Sequence, residues 1–257
     1  MNRPTPIPSL LDARPSARPF SIEGRGRALL LIHGFTGTPG ELKPVADALI
    51  AADPDWAIEA PLLPGHGTDV GDLSRARASD WTACVERSFL ALRARHERVN
   101  VCGLSMGGLL AMHLMAKYPD DIARAVLLAP VVAIRSPAQA ALRALRLLPW
   151  LPNLRIAKKG PRLPDHVAYD AYPLRGLRQL SRLQARVQGE LADCGIPTLV
   201  AYSEADEVVD PRTVERLKNA WTKDRLRELH LRSSGHILTM DCEGPTVLAA
   251  AVAHLSA

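Results

Sequence analysis

Aromatic side chains are scarce, at 4% of 257 residues, so leucine, valine, isoleucine and alanine must fill most of any core. The same scarcity argues against nucleic acid as a partner, because single-strand readers stack bases on aromatic rings. Cysteine is also sparse. Cys84, Cys102, Cys194 and Cys242 lie far apart, with no C-x-x-C pair and no Cys/His cluster. That excludes a disulfide framework and a zinc site, and predicts small buried hydrophobes. No His/carboxylate set has ligand spacing, so a metal-dependent enzyme is not expected. No apolar run approaches the length of a membrane span. Residues 1–19 are rich in Pro and Arg and lack the apolar stretch of a signal peptide. They read as a flexible leader on a cytoplasmic protein.

Charge is not lacking, but it is unevenly placed. The chain carries a formal +5 and a pI near 9.2. Eleven Lys/Arg face only three acids (Asp165, Asp170, Glu190) between Ala133 and Glu190, a local +8 that leaves the remainder at −3. Basic charge gathered in one segment can steer anions or touch an anionic surface.

Short apolar runs punctuate the sequence: Ala28–Ile32, Ala57–Ala60, Val99–Cys102, Ala125–Ala129, Thr198–Tyr202 and Leu226–Leu231. Most are too short for helices, and their continuous apolarity suits strands buried on both faces. Helical patterns separate them at Gly40–Ala52, Ser79–Arg95, Met106–Lys117, Pro211–Trp221 and Gly244–Leu255. The third stops at Tyr118-Pro119, where proline disfavours continuation. Such alternation predicts an α/β fold, a mostly parallel central sheet with helices on both faces. Ligand sites in such sheets lie at the carboxyl ends of the strands. One stretch breaks the rhythm. Between Pro130 and Thr198 come a Leu- and Arg-rich amphipathic piece (Ala140–Leu148), a Pro-punctuated loop (Pro149–Pro164) and a longer helical pattern (Leu174–Leu191). A plain crossover needs far less chain. Residues 133–191 are therefore expected to form an inserted helical cap over a core of residues 20–132 and 192–257.

Gly103-Leu104-Ser105-Met106-Gly107 fits G-x-S-x-G between a predicted strand and a predicted helix. A serine on that tight turn needs neighbours almost free of side chain, and its hydroxyl is presented at a helix N-terminus that favours developing negative charge. The pattern resembles the nucleophile elbow of the α/β-hydrolase fold. His33-Gly34-Phe35-Thr36-Gly37 follows the first long run. In this fold an amide from that loop and the amide after the nucleophile form the oxyanion hole, which makes Phe35 and Met106 the expected donors. Thr38 and Glu41 have the spacing of a capping box, although Pro44 blurs the helix start. His33, at a strand end, suits a structural hydrogen bond better than catalysis.

The fold's chain order is nucleophile, acid, histidine. Glu204, Asp206, Glu207 and Asp210 compete for the acid. Asp210 precedes Pro211 and a helical pattern, so it suits an N-cap, and Glu204 is too near the strand end. Asp206, mid-loop ahead of Val208-Val209, is the choice. Of the later histidines, His230 lies in a strand pattern and His254 in the last helix. His236 follows Ser233-Ser234-Gly235, a loop that can carry an imidazole over the elbow. His66 reads as loop-structuring, and His96 and His113 as passengers on helices.

Together these segments, with Pro64-Gly65-His66-Gly67 and Ser234-Gly235-His236, resemble the bacterial carboxylesterase and monoacylglycerol lipase group of the α/β-hydrolase superfamily. The resemblance runs from about Ala28 to the C-terminus and is weakest across the cap. It implies Ser105 as nucleophile, Asp206 as acid, His236 as base, Phe35 and Met106 as oxyanion donors, no cofactor, and carboxylic esters with an acyl chain or a small alcohol such as glycerol. Peptidases, carbon–carbon bond hydrolases and haloperoxidases share the same triad, and a binding protein of this fold would keep its frame without chemistry. The cap stripe at Ala140–Leu148 is expected to line an acyl tunnel, rest transiently on lipid, or merely pack the cap down.

Overall fold

Every one of those apolar runs becomes a strand. In the computed structural model, which describes residues 14–135, 138–148, 150, 152–158, 163–190, 195–210, 212–221 and 225–257, they are β2 (Ala28–Ile32), β3 (Ala57–Ala60), β4 (Val99–Leu104), β5 (Ile122–Leu128), β8 (Thr198–Ser203) and β9 (Leu226–Leu231). With β1 (Phe20–Ile22) they form a seven-stranded sheet in the order β1-β3-β2-β4-β5-β8-β9. All pairings are parallel except β1 with β3. The three-residue β1 is half-exposed at the sheet edge, too short to give a periodic signal in sequence. β2 and β4 are buried along their whole length because helices cover both faces. Each fully buried side chain such as Leu29, Leu31 or Val101 contributes roughly 1.5–3 kcal/mol before chain entropy is subtracted.

The helices are α1 (Lys43–Ala52), α2 (Val70–Arg75), α3 (Ala78–Arg93), α4 (Met106–Lys117), α5 (Ala138–Leu147), α6 (Leu174–Glu190), α7 (Arg212–Ala220) and α8 (Gly244–Ser256). α1 packs against α8, whereas α3, α4 and α6 pack on one another. α4 is buried continuously from Met106 to Met115, as befits a helix apolar on all sides.

Several expectations need correction. The pattern Gly40–Ala52 is split, because Pro39–Leu42 forms a 3-10 turn and α1 starts only at Lys43, with Pro44 in its first turn. The Thr38 and Glu41 side chains do not cap it; they bond elsewhere, as described below. Within the leader, Pro15–Ala17 forms a 3-10 turn with Ala17 fully buried, so this part packs on the body; residues 1–13 lie outside the described residues. Cys84 and Cys102 are buried thiols, but Cys242 is exposed because it sits in the turn leading into α8. Cys194 lies outside the described residues.

Between β5 and β8 the chain builds α5, a short antiparallel ribbon of β6 (Arg155–Ala157) and β7 (Ala171–Pro173), and then α6. α6 buries Leu180, Leu183 and Val187. Its Gln184 donates to the Val131 carbonyl at 2.7 Å, and Gln188 to that of Val132 at 2.7 Å. The segment before β7 is fastened from above. Tyr169 donates its hydroxyl to the Gly65 carbonyl at 2.9 Å and accepts the Thr68 amide at 3.0 Å.

Candidate active site

The carboxyl ends of β2, β4, β8 and β9 release four loops on the same side of the sheet, at the point where the strand order reverses around β2 and β4. Ser105 stands between β4 and α4 with φ 57° and ψ −111°, in the region that disfavours a side chain. The flanking glycines are there because nothing larger fits. A Cβ on Gly103 would meet the Gly107 carbonyl oxygen at 2.1 Å, and one on Gly107 would meet that of Ile32 at 1.9 Å. Packing of α4 against the ends of β2 and β4 thus explains the spacing of the motif.

The structure brings Ser105, Asp206 and His236 into one hydrogen-bonded line. The Ser105 hydroxyl and His236 Nε2 are 2.8 Å apart, and His236 Nδ1 is 2.8 Å from Asp206 Oδ2. Asp206 Oδ1 accepts the amides of Val208 at 2.8 Å and Val209 at 3.0 Å, which fixes the carboxylate in its turn. Burial raises the Asp206 carboxyl, but the His236 ring and these two amides outweigh it and hold it below the ordinary aspartate range. Burial lowers His236, and the facing Asp206 charge, helped by Glu207 and Glu41, outweighs that and holds the imidazole above its usual value. The line can pass a proton from hydroxyl to ring and stabilise the resulting imidazolium.

The rejected candidates sit elsewhere. Asp210 accepts the Arg212 amide at 3.0 Å at the start of α7 and pairs with its guanidinium. Glu204 faces His230 at 2.9 Å, half-exposed on the sheet edge. His254 is buried with Nε2 3.2 Å from the Pro197 carbonyl oxygen, and His96 Nδ1 lies 3.1 Å from that of Gly26. His113 is no passenger. It is buried, with its two ring nitrogens 2.8 Å from Glu86 and 3.0 Å from Glu190, so it ties α4 to α3 and α6. His66 Nδ1 lies 3.2 Å from both the Leu63 and Pro64 carbonyls, and burial beside His33 pushes its pKa down to about 3.

His33 does shape the site, through structure. The Leu63 amide donates to its Nε2 at 3.0 Å, which leaves Nδ1 to carry the ring proton and donate to the Gly34 carbonyl at 3.0 Å. Burial lowers the ring's pKa and keeps this neutral tautomer. Because a peptide is trans, holding the Gly34 carbonyl turns the Phe35 N–H the opposite way. Among the described residues neither the Phe35 nor the Met106 amide is engaged by a hydrogen bond. Met106 opens α4, where first-turn amides lack helical partners. The Phe35 ring stacks on Tyr172 at 6.3 Å and meets Trp81 edge-on at 5.9 Å.

Some supporting residues left no mark in sequence reasoning. Arg135, at the start of the insertion, donates Nε to the Asp206 carbonyl at 2.6 Å and Nη2 to that of Glu204 at 2.8 Å. Lys158 donates to the Thr36 hydroxyl, and Tyr169 donates its amide to the Thr36 carbonyl at 3.0 Å. These bonds join segments far apart in the chain and target backbone or a hydroxyl, so no local motif announces them. Among the described residues no group of three His, Cys, Asp or Glu could hold a metal ion.

Comparison with known proteins gives this geometry a family. Residues 25–243 match the model of the serine aminopeptidase S33 hydrolases. The chain belongs to this family. It is 33% identical to a thermostable monoacylglycerol lipase of Bacillus sp. strain H-257, over 90% of this chain and 91% of that one. To a carboxylesterase of Bacillus subtilis it is 24% identical, over 88% and 91% of the two chains. Among solved structures, one from the metagenome-derived lipolytic enzymes LipS and LipT superposes with a TM-score of 0.84 at 27% identity, covering 95% of this chain and 98% of that one. Within the S33 family, then, this chain is an α/β-hydrolase of the lipase and esterase group, an ester-cleaving enzyme.

Proposed function

We propose that the chain cleaves carboxylic esters through an acyl-serine intermediate, with Ser105 as nucleophile, His236 as base and acid, and Asp206 as its orienting carboxylate. The observation that carries this reading is the hydrogen-bonded line of the three side chains, built on the positive-φ turn of Ser105. His236 takes the hydroxyl proton as Ser105 attacks the ester carbonyl. Asp206 holds the ring proton on Nδ1 and stabilises the imidazolium. The oxyanion is received by the amides of Phe35 and Met106. His236 then protonates the leaving alcohol, and water cleaves the acyl-Ser105 ester by the reverse route.

The substrate reading is an ester of a fatty acyl chain with a small alcohol such as glycerol, supported by the name of the Bacillus relative. The insertion acts as the cap over this site. It offers lipid a surface on which Leu147 is 79% and Trp150 70% exposed, with Leu154 and Ile156 half-exposed among basic side chains. No helix among the described residues is long and apolar enough to cross a membrane. The unpaired thiols Cys84, Cys102 and Cys242 suit a cytoplasmic setting. A substrate panel tests the reading. Monoacylglycerols and short p-nitrophenyl esters should be turned over, and amino-acid amides and vinylogous diketones left intact. Amide cleavage outpacing ester cleavage would instead favour a peptidase.

A further inference from the structure

We infer that Glu41 is a positioning residue of the oxyanion loop, tying residues 34–37 to the cap through His166. The inference rests on the reading of Phe35 as an oxyanion donor. Glu41 is 2% exposed and lies against the loop, its backbone carbonyl accepting the Thr239 hydroxyl at 2.6 Å. Oε2 accepts the Gly34 amide at 2.8 Å, and Oε1 meets His166 Nε2 at 2.7 Å. Both carboxylate oxygens are therefore committed.

The loop is shaped to receive this carboxylate. A Cβ on Gly37 would meet Oε1 at 1.9 Å, and one on Gly34 would meet Oε2 at 3.2 Å and the Ser105 Cβ at 3.4 Å. Glu41 holds the amide of Gly34 while His33 holds its carbonyl. Those two bonds bracket the one residue whose torsions aim the Phe35 N–H. Without the carboxylate, the Gly34 amide would be left buried and unpaired, a state the backbone escapes by rotating. The rotation would carry the Phe35 donor with it. His166 comes from the segment of the cap that also meets this loop through Tyr169 with Thr36 and Val167 with Thr38. The Thr38 hydroxyl donates to the Val167 carbonyl at 3.1 Å, which is why it does not cap a helix. Glu41 thus sits where cap and oxyanion loop touch, its carboxylate bonded to both.

The test compares Glu41→Gln, which keeps an acceptor for Gly34 and a polar partner for His166, with Glu41→Leu, which keeps bulk and loses both. On a soluble p-nitrophenyl ester, Glu41→Gln should stay within about threefold of wild type in kcat, and Glu41→Leu should lose about thirtyfold or more with KM within about twofold, since an oxyanion donor acts in the transition state. His166→Ala should lose about fivefold, again in kcat. Affinity for a boronic acid that mimics the tetrahedral adduct should fall in parallel. Wild-type kcat in Glu41→Leu, or a loss carried by KM, overturns the inference. Should Glu41→Leu fail to fold, His166→Ala decides, and an unchanged kcat there overturns it. Ser105→Ala in the same series separates the two levels. Activity that survives it removes the triad reading, whereas activity it abolishes but Glu41→Leu leaves untouched removes only the role of Glu41.

Discussion

Asp206 and His236 hold each other in their charged forms, and this coupling has consequences for rate and for stability. A base must be neutral to accept the Ser105 proton, so kcat/KM should rise with pH as His236 deprotonates. Because Asp206 outweighs burial and holds the ring up, the midpoint should lie above the ordinary histidine value of ~6.5. Asp206→Asn removes that charge. It should cut kcat by about 10⁴-fold, as loss of the orienting carboxylate does in other triads, and move the residual midpoint to lower pH. The stability signs follow from the same shifts. The raised His236 stabilises the fold below its unfolded pKa and loses that contribution as pH rises through the folded one; the lowered Asp206 stabilises above its unfolded pKa and loses it as pH falls. Both contributions are present between the ordinary values of ~3.9 and ~6.5. Thermal melts should therefore show Asp206→Asn losing more stability relative to wild type near pH 5.5 than near pH 9. Equal losses at both, or a kcat/KM midpoint below that of free histidine, would contradict the coupling.

Among elements, legibility followed regularity. β2, β4 and α4 were readable because each is buried on all sides and so is continuously apolar, and the elbow between them was readable because Gly103 and Gly107 face backbone within 2.1 Å. β1, β6 and β7 are three residues long, too short for periodicity to register. Thr38 and Glu41 misled because local spacing offers a capping box while tertiary partners, Val167 and Gly34, claim both side chains. In the insertion the amphipathic pattern was visible but its use was not. α5 turns Leu142 inward and leaves Leu147 and the following Leu148 and Trp150 outward. On an anionic surface each nearby Lys or Arg adds about 1 kcal/mol of attraction, so apolar contact and basic charge act together. Leu147→Asp with Trp150→Asp should weaken sedimentation with vesicles containing anionic lipid and slow hydrolysis of dispersed monoacylglycerol. Turnover of a soluble p-nitrophenyl ester should stay within about twofold, because such exposed positions seldom affect packing. A variant that binds vesicles as the wild type does would show that these side chains do not mediate lipid contact.

At the scale of the molecule, the fold gathers residues that lie far apart in the chain. The parallel sheet fixes four loops at one edge, and residues 101 and 30 positions apart in the chain, Ser105 to Asp206 and Asp206 to His236, meet within hydrogen-bond reach because β4, β8 and β9 end together. The place of Ser105 was legible because strand, turn and helix fix it, whereas chain order left four carboxylates and three histidines to be separated by their positions in loop, strand or helix. The bracing of that site by Arg135, His166 and Lys158 was not, because all three come from the basic insertion and reach across the fold to the loops. Two of its basic side chains, Arg135 and Lys158, thus hold the loops that carry Asp206 and Phe35. The central claim is that Ser105 is an activated nucleophile. Labelling the folded protein with a fluorophosphonate probe, beside Ser105→Ala, and locating the adduct by mass spectrometry tests it most directly. The account requires one adduct, on Ser105, absent from the variant; a folded wild type that takes no label, or takes it on another residue, would contradict it.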